Sequence, residues 1–105
     1  MTPDTSRPVY FIALLQVPDI DTYRREYGRR VRQQLFAAGA KLLLASPNPT
    51  VLEGEWEPTW TVVIEFPDRA TALRWYSSEE YAPLKRLRLE ELTSGGVAAL
   101  FDAFA

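Results

Sequence analysis

The chain has 105 residues, of which 47% are hydrophobic and 25% are charged, and its formal net charge is −2. This length is typical of one domain, and the balance of apolar and charged residues is that of a globular chain. A nucleic-acid partner would require a concentrated positive field, which this charge balance disfavours. We therefore expect one domain over residues 1–105 that does not bind nucleic acid.

The sequence contains neither cysteine nor histidine. Disulfides and thiolate-ligated metals are thereby excluded. The commonest general base, which is also the commonest zinc and haem ligand, is missing as well. We expect no cofactor and no metal. No apolar run approaches the roughly 20 residues of a membrane span, and no signal-peptide core is evident. A cytoplasmic protein without a membrane partner is the expectation.

The first third of the chain predicts a strand followed by a helix. Val9–Val17 (VYFIALLQV) is short and apolar on both alternating faces, which is typical of a central strand covered on both sides. Asp19 stands where a helix N-cap belongs, and Gly39 stands where a left-handed cap would end that helix. Apolar residues between them follow at steps of three and four, as on one helix face: Ile20, Tyr23, Tyr27, Val31, Leu35 and Ala38.

The rest of the chain predicts three further main strands and a second helical region. The strands are Lys41–Ala45, Thr59–Phe66 and Val97–Phe104, and Val51–Gly54 is expected to add a short edge strand. Asp68 caps a helix that runs through Tyr76, and a further helical stretch continues after Pro83 to Leu92. The order β-α-β-β-α-β predicts an α+β, ferredoxin-like sandwich with the first and third strands central.

The two helices of such a sandwich cover only one face of its sheet. The first strand presents Val9, Phe11 and Ala13 on one face and Tyr10 and Ile12 on the other, so both faces are apolar. An uncovered apolar face of several hundred Å² exceeds what a monomer normally exposes. We therefore predict a homodimer in which two sheets pack face to face. A monomer whose loops fold over the sheet is the alternative.

Several motifs carry a resemblance to a known family. They are the strand with Tyr10, Pro18-Asp19 with Tyr23 and Tyr27, Leu52-Glu53-Gly54-Glu55-Trp56, Val63-Ile64-Glu65-Phe66-Pro67, Trp75-Tyr76-Ser77-Ser78 with Tyr81, and Leu87-Arg88. The chain resembles the domain-of-unknown-function 1330 family of the dimeric α/β-barrel superfamily. The resemblance implies a ferredoxin-like fold and a dimeric α/β barrel, but no general reaction. The wider superfamily includes cofactor-independent monooxygenases, haem-dependent enzymes, isomerases, dehydratases and cyclases.

Glu65 and Arg88 are the charged residues most expected to carry chemistry. Glu65 interrupts an apolar strand, where desolvation raises the pKa of a carboxylate toward neutrality and suits it to general acid–base catalysis. Arg88 lies on an apolar helical face and requires a carboxylate, for which Glu65, Glu53 and Asp102 are the candidates. A purely structural Glu65–Arg88 pair is the alternative to a catalytic one.

The remaining site candidates are aromatic or lie at the end of the sheet. The hydroxyl of Tyr10 is expected to donate to a developing oxyanion, although packing alone also explains a tyrosine in a strand. Trp60, Trp75 and Tyr81 are predicted to line a ligand pocket, with core packing as the alternative. Asp102 is assigned to ligand binding, although the dimer seam and solvent are alternative places for it.

Two hypotheses for function follow from these residues. The first is a cofactor-independent enzyme of the isomerase, cyclase or lyase type, which acts by acid–base chemistry on an apolar or aromatic carbonyl-containing metabolite. Glu65 would then move protons, and Arg88 and Tyr10 would hold or polarise an oxygen atom. The second is a non-catalytic dimeric ligand-binding or accessory protein.

Overall fold

The computed structural model describes residues 7–104 as one four-stranded antiparallel sheet with helices packed on one face. Its strands are β1 (Val9–Gln16), β2 (Lys41–Ser46), β3 (Trp60–Phe66) and β4 (Gly95–Asp102). Its α-helices are α1 (Ile20–Tyr23), α2 (Arg29–Ala37), α3 (Arg69–Tyr76) and α4 (Ala82–Leu87). The strand order is β2-β3-β1-β4, so β1 and β3 are central as predicted and the fold is ferredoxin-like.

Two π-helical segments continue these helices without a break. Arg24–Gly28 connects α1 to α2, and Arg88–Leu92 extends α4. Together α1, Arg24–Gly28 and α2 form the first helical region. It begins at the predicted cap Asp19, whose carboxylate accepts a hydrogen bond from the Thr22 backbone N–H. It ends before Gly39, whose φ of 80° is the left-handed conformation expected of the helix cap. Short π-helical segments are rare and are frequent at functional sites.

The hydrophobic core lies between the helices and one face of the sheet. On β1 the residues of one parity, from Val9 to Leu15, are buried, whereas the alternate residues are half-buried. Phe66 and Tyr81 are fully enclosed there. None of the helices described in residues 7–104 is long and apolar enough to cross a membrane.

Two details of the predicted strands are wrong. Val51–Gly54 forms no strand. It lies in a segment bounded by Pro49 and Pro58, which cannot donate ladder hydrogen bonds. The last strand begins at Gly95, two residues earlier than predicted, and ends at Asp102. Gly95 and Gly96, which precede the predicted strand, extend the pairing of β4 with β1.

Gly96 brings β4 closer to β1 than any side chain allows. A Cβ at this position would lie 2.6 Å from the Leu14 carbonyl oxygen and 2.9 Å from Leu15 Cα, and the φ of 143° is strained for other residues. We expect Gly96→Ala to destabilise the protein by about 1–3 kcal/mol. Gly95→Ala is the matched control, because nothing lies within 4 Å of its added Cβ. Urea denaturation of both variants tests this, and equal stabilities would contradict it.

Candidate functional site

A cavity of about 400 Å³ lies between the first helical region and the sheet. Its floor is the helix-facing side of β1 and β3, including Phe11, Ala13, Trp60 and Ile64. Exposed residues of α2 and β2 border its mouth, Leu42 among them. A volume of this size is within the range of small-molecule sites, and its walls are mostly apolar and aromatic.

Arg88 places a buried positive charge at this cavity. Its residue surface is only 4% exposed, and it lines the cavity together with Trp75. The first turn of the second π-helical segment carries it. Its Nε donates to the Tyr81 hydroxyl over 3.3 Å, whereas Nη2 is buried and has no hydrogen-bond partner. A buried donor without a partner is costly and calls for an explanation, and a bound ligand is one such explanation.

A chain of hydroxyl groups adjoins Arg88. The Tyr27 and Tyr81 hydroxyl oxygens lie 2.6 Å apart, and Tyr27 lines the cavity from the first π-helical segment. Burial, reinforced by the neighbouring Tyr81 hydroxyl, raises the pKa of Tyr27 well above its ordinary value. Burial likewise raises the pKa of Tyr23, which also lines the cavity. These tyrosines are therefore neutral hydrogen-bond donors near pH 7 and poor general bases.

Arg88 remains protonated in this environment. Burial by itself lowers the pKa of its guanidinium, but the nearby Tyr81 and Tyr27 oxygens outweigh that effect and raise it. No carboxylate lines the cavity, and within residues 7–104 no ion pair joins Arg88 to an acidic residue. The ion pair expected from the sequence is therefore absent from the described part of the chain. The site consists of donors and a cation.

Three further arginines border the mouth of the cavity. Arg24, Arg29 and Arg32 belong to the first helical region, and all three are exposed. The Arg24 guanidinium lies 5.2 Å from the centre of the Trp60 ring, which is a cation–π geometry. The entrance thus carries three positive charges next to apolar residues such as Leu42.

The predicted site residues separate into two groups on opposite faces of the sheet. Trp60, Trp75 and Arg88 line the cavity, and Tyr81 contacts Arg88 from behind, with its ring centroid 4.1 Å from that of Trp75. Glu65 pairs with Tyr10 across β1 and β3, and both are half-buried. The residues next to them in β1 and β3, such as Phe11 and Ile64, face the helices, so the side chains of Tyr10 and Glu65 lie on the opposite face of the sheet.

The sheet therefore lies between Glu65 and Arg88. The predicted alternative in which Glu65 neutralises Arg88 is wrong. Ile64 lines the cavity, and because successive residues of a strand face opposite sides of the sheet, Glu65 faces away from the cavity and from Arg88. The strand neighbour of Glu65 on β2 is Lys41. Asp102 also lies away from the cavity, since it forms an exposed ion pair with Arg69.

Sequence reasoning missed Tyr27 and the three arginines of the mouth as site residues. The sequence pattern places Tyr27 in the apolar helix stripe and predicts no role for the arginines. The stripe does contain a signal, because Tyr23 and Tyr27 bring hydroxyl groups into an otherwise apolar face. Buried hydroxyls require partners, and such partners often line a polar spot in a cavity.

The position of Glu65 gives a direct stability test. We expect Glu65→Gln to change the free energy of unfolding by no more than about 0.5 kcal/mol, because it leaves no buried charge unpaired. Loss of a buried Glu65–Arg88 pair would cost about 3–5 kcal/mol. Urea denaturation distinguishes the two values, with the exposed Glu79→Gln as the matched control. A loss of 3 kcal/mol or more confined to Glu65→Gln would contradict the separation by the sheet.

No group of three or more acidic residues within residues 7–104 is arranged to hold a metal ion, and the chain lacks histidine and cysteine. The polar groups that border the cavity are arginines and tyrosines, which are not the oxygen-anion or imidazole ligands that metals prefer.

Comparison with known proteins identifies the family. The sequence profile of the domain of unknown function DUF1330 matches residues 8–98. The chain belongs to this family. No curated protein matches the sequence. The matched DUF1330 region contains the cavity residues from Phe11 to Arg88.

The structure is also similar to solved structures of other proteins. One is a protein of unknown function, RPA0582 from Rhodopseudomonas palustris, with a TM-score of 0.77 and 16% identity, covering 98% of this chain and 87% of that one. Another is a putative antibiotic biosynthesis monooxygenase from Bacteroides thetaiotaomicron, with a TM-score of 0.53 and 14% identity, covering 96% and 91%. At these identities the likeness establishes the ferredoxin-like fold alone.

Proposed function

We propose that this DUF1330 protein binds a small apolar or aromatic carbonyl-containing compound in the cavity between the helices and the sheet. The observation that carries the proposal is Arg88, which lines an apolar cavity of about 400 Å³ and whose Nη2 is a buried charged donor without a partner among the described residues. A carbonyl oxygen would satisfy that donor, and the aromatic walls would pack on the rest of the molecule. This corresponds to the ligand-binding hypothesis from the sequence.

A second candidate is an enzyme of the isomerase, cyclase or lyase type that uses the same cavity. The hydrogen-bonded series Arg88–Tyr81–Tyr27 favours it, because donors fixed around an oxygen stabilise an enolate. The proton from the α-carbon would pass to water, since no carboxylate of residues 7–104 lines the cavity. Glu65 and Tyr10 keep their proposed catalytic role only if the ligand binds on the other sheet face, which none of the described helices covers.

We also propose that the protein is a homodimer joined through that other face. Glu65 and its neighbour Lys41 lie at one end of this face, and the rest is largely apolar. Val97 is 65% exposed, Phe101 53% and Leu44 42%, and Ile12 and Val63 lie between them. An apolar surface of this kind is unusual on a monomer. A second copy of the chain presents the same surface, so a two-fold axis buries both at once.

Binding to matched small molecules tests the proposal for the cavity. We expect 2-acetonaphthone, 2-naphthoate or both to bind the purified protein, as measured by isothermal titration calorimetry. Ala45→Phe should abolish this binding, because Ala45 is exposed and lines the mouth. Leu43→Phe is the matched control, since Leu43 is exposed on the same strand but does not line the cavity. Binding that Ala45→Phe leaves unchanged would place the ligand elsewhere.

Catalysis is tested separately from binding, by proton exchange. If the second candidate is right, the protein should accelerate exchange of the methyl protons of 2-acetonaphthone in D₂O by about 10²-fold or more, followed by NMR. Tyr27→Phe should reduce that acceleration. Binding without any acceleration of exchange would leave the ligand-binding role alone.

A further inference from the structure

We propose that the ligand is a carboxylate anion, with its two oxygens held by Arg88 Nη2 and the Tyr27 hydroxyl and its apolar body toward the mouth. This inference rests on the proposed cavity function and specifies the chemical class of the ligand. Two independent observations support it: an uncompensated buried charge, and the hydrogen bonds that link Arg88, Tyr81 and Tyr27.

The first observation is the charge. Arg88 is protonated and 4% exposed, and no acidic residue described in positions 7–104 forms an ion pair with it. A buried ion is stable only when it is paired or well solvated. A neutral carbonyl would satisfy the hydrogen bond at Nη2 but would leave the positive charge uncompensated. A carboxylate does both, with a shorter and stronger charge-assisted bond.

The second observation is the arrangement of the two hydroxyl groups beside Arg88. The Tyr81 oxygen accepts from Arg88 Nε, and its hydroxyl lies 2.6 Å from that of Tyr27. Either hydroxyl can donate in this contact, but Tyr81 is fully buried and does not line the cavity, so we infer that Tyr81 donates its proton to Tyr27. The Tyr27 proton is then left to donate to another group. Tyr27 lines the cavity, and a second oxygen there would accept this proton.

The charges at the mouth of the cavity also favour an anionic ligand. Arg24, Arg29 and Arg32 all line it, and Arg24 is held over the Trp60 ring. Exposed arginines at an entrance raise the local concentration of anions and their rate of association. The apolar lining, with Trp60 and Leu42 on the side of the mouth, then contacts the body of the ligand. The geometry is that of a site for an apolar or aromatic acid of modest size.

Matched acids and ketones test this proposal. Titration calorimetry compares 2-naphthoate with 2-acetonaphthone, which has nearly the same shape without the charge, and octanoate with 2-nonanone. We expect each acid to bind at least about 10-fold more tightly than its ketone. Arg88→Met should weaken binding of the acids by about 30-fold or more. The exposed Arg86→Met on the same helix should leave binding unchanged.

Two further variants separate position from overall charge. Tyr27→Phe should weaken binding of the acids by about 10-fold, since it removes the second donor, whereas Tyr76→Phe should not, because Tyr76 does not line the cavity. Arg32→Gln should slow association of the acids and reduce its dependence on salt. Circular dichroism confirms that each variant is folded before titration.

The outcomes distinguish this inference from the function on which it rests. Tighter binding of the acids that is lost in Arg88→Met supports both. Equal binding of acids and ketones, blocked by Ala45→Phe, overturns the carboxylate assignment and leaves the cavity function standing. If none of the four compounds binds, both proposals fail.

Discussion

Replacing Arg88 by Met is expected to stabilise the unliganded protein by about 1–4 kcal/mol. The guanidinium is buried without a carboxylate partner, and its Nη2 has no hydrogen bond. Replacement of buried charged groups by apolar side chains of similar volume is often stabilising by this amount. Tyr81 keeps its hydrogen bond to Tyr27 in the variant. Such a gain is the usual signature of a residue kept for function at a cost in stability.

Urea denaturation at a fixed protein concentration measures this change, because a dimer would make the apparent stability depend on concentration. Arg86→Met is the control, since Arg86 is exposed on the same helix and its replacement should change stability by no more than about 0.5 kcal/mol. A loss of stability of 2 kcal/mol or more in Arg88→Met alone would show that Arg88 is a structural residue. The proposed anion site would then lose its main support.

Replacing Val97 by Glu is expected to convert the protein from a dimer to a monomer. Val97 is 65% exposed on the sheet face that none of the described helices covers, so a glutamate there is solvated in the single chain. In a dimer joined through this face, two such carboxylates would be buried without partners, at a cost of several kcal/mol each. The monomer should therefore remain folded while association is lost.

Sedimentation equilibrium at micromolar concentration provides the measurement. The unmodified protein should have a mass of about 24 kDa, twice the 12.0 kDa of the chain, and Val97→Glu should have the mass of one chain. Leu73→Glu is the control, because Leu73 is similarly exposed on α3, away from this face. A monomeric unmodified protein, or a Val97→Glu variant that still sediments as a dimer, would refute this mode of association.

Much of the fold could be predicted because its local signals are strong. The two-sided apolar pattern from Val9, the caps at Asp19 and Asp68, and the left-handed Gly39 each have a local physical cause. The start of β4 could not be predicted in the same way. Gly95 and Gly96 break local propensity, but pairing with β1 satisfies their backbone groups and leaves no room for a Cβ at Gly96.

The candidate site was predictable only in part. Arg88, Trp60 and Trp75 were selected from the sequence because large or charged side chains on apolar faces must be buried against something, and the structure brings all three to one cavity. The sequence does not show which group, if any, pairs with a buried charge. Glu65 was a plausible partner because it interrupts an apolar strand, yet the alternation of side chains along β3 directs it to the sheet face opposite Arg88.

By itself, the sequence determined the order of helices and strands, the ferredoxin-like topology, and the exclusion of thiolate and histidine chemistry. These follow from periodicity, capping and composition, which act over a few neighbouring residues. Only the tertiary structure decided that Arg88 meets Tyr81 and Tyr27 rather than Glu65. That outcome depends on which sheet face the helices cover and on how the first helical region, whose π-helical segment carries Tyr27, packs against the second. Contacts between residues distant in the chain set both.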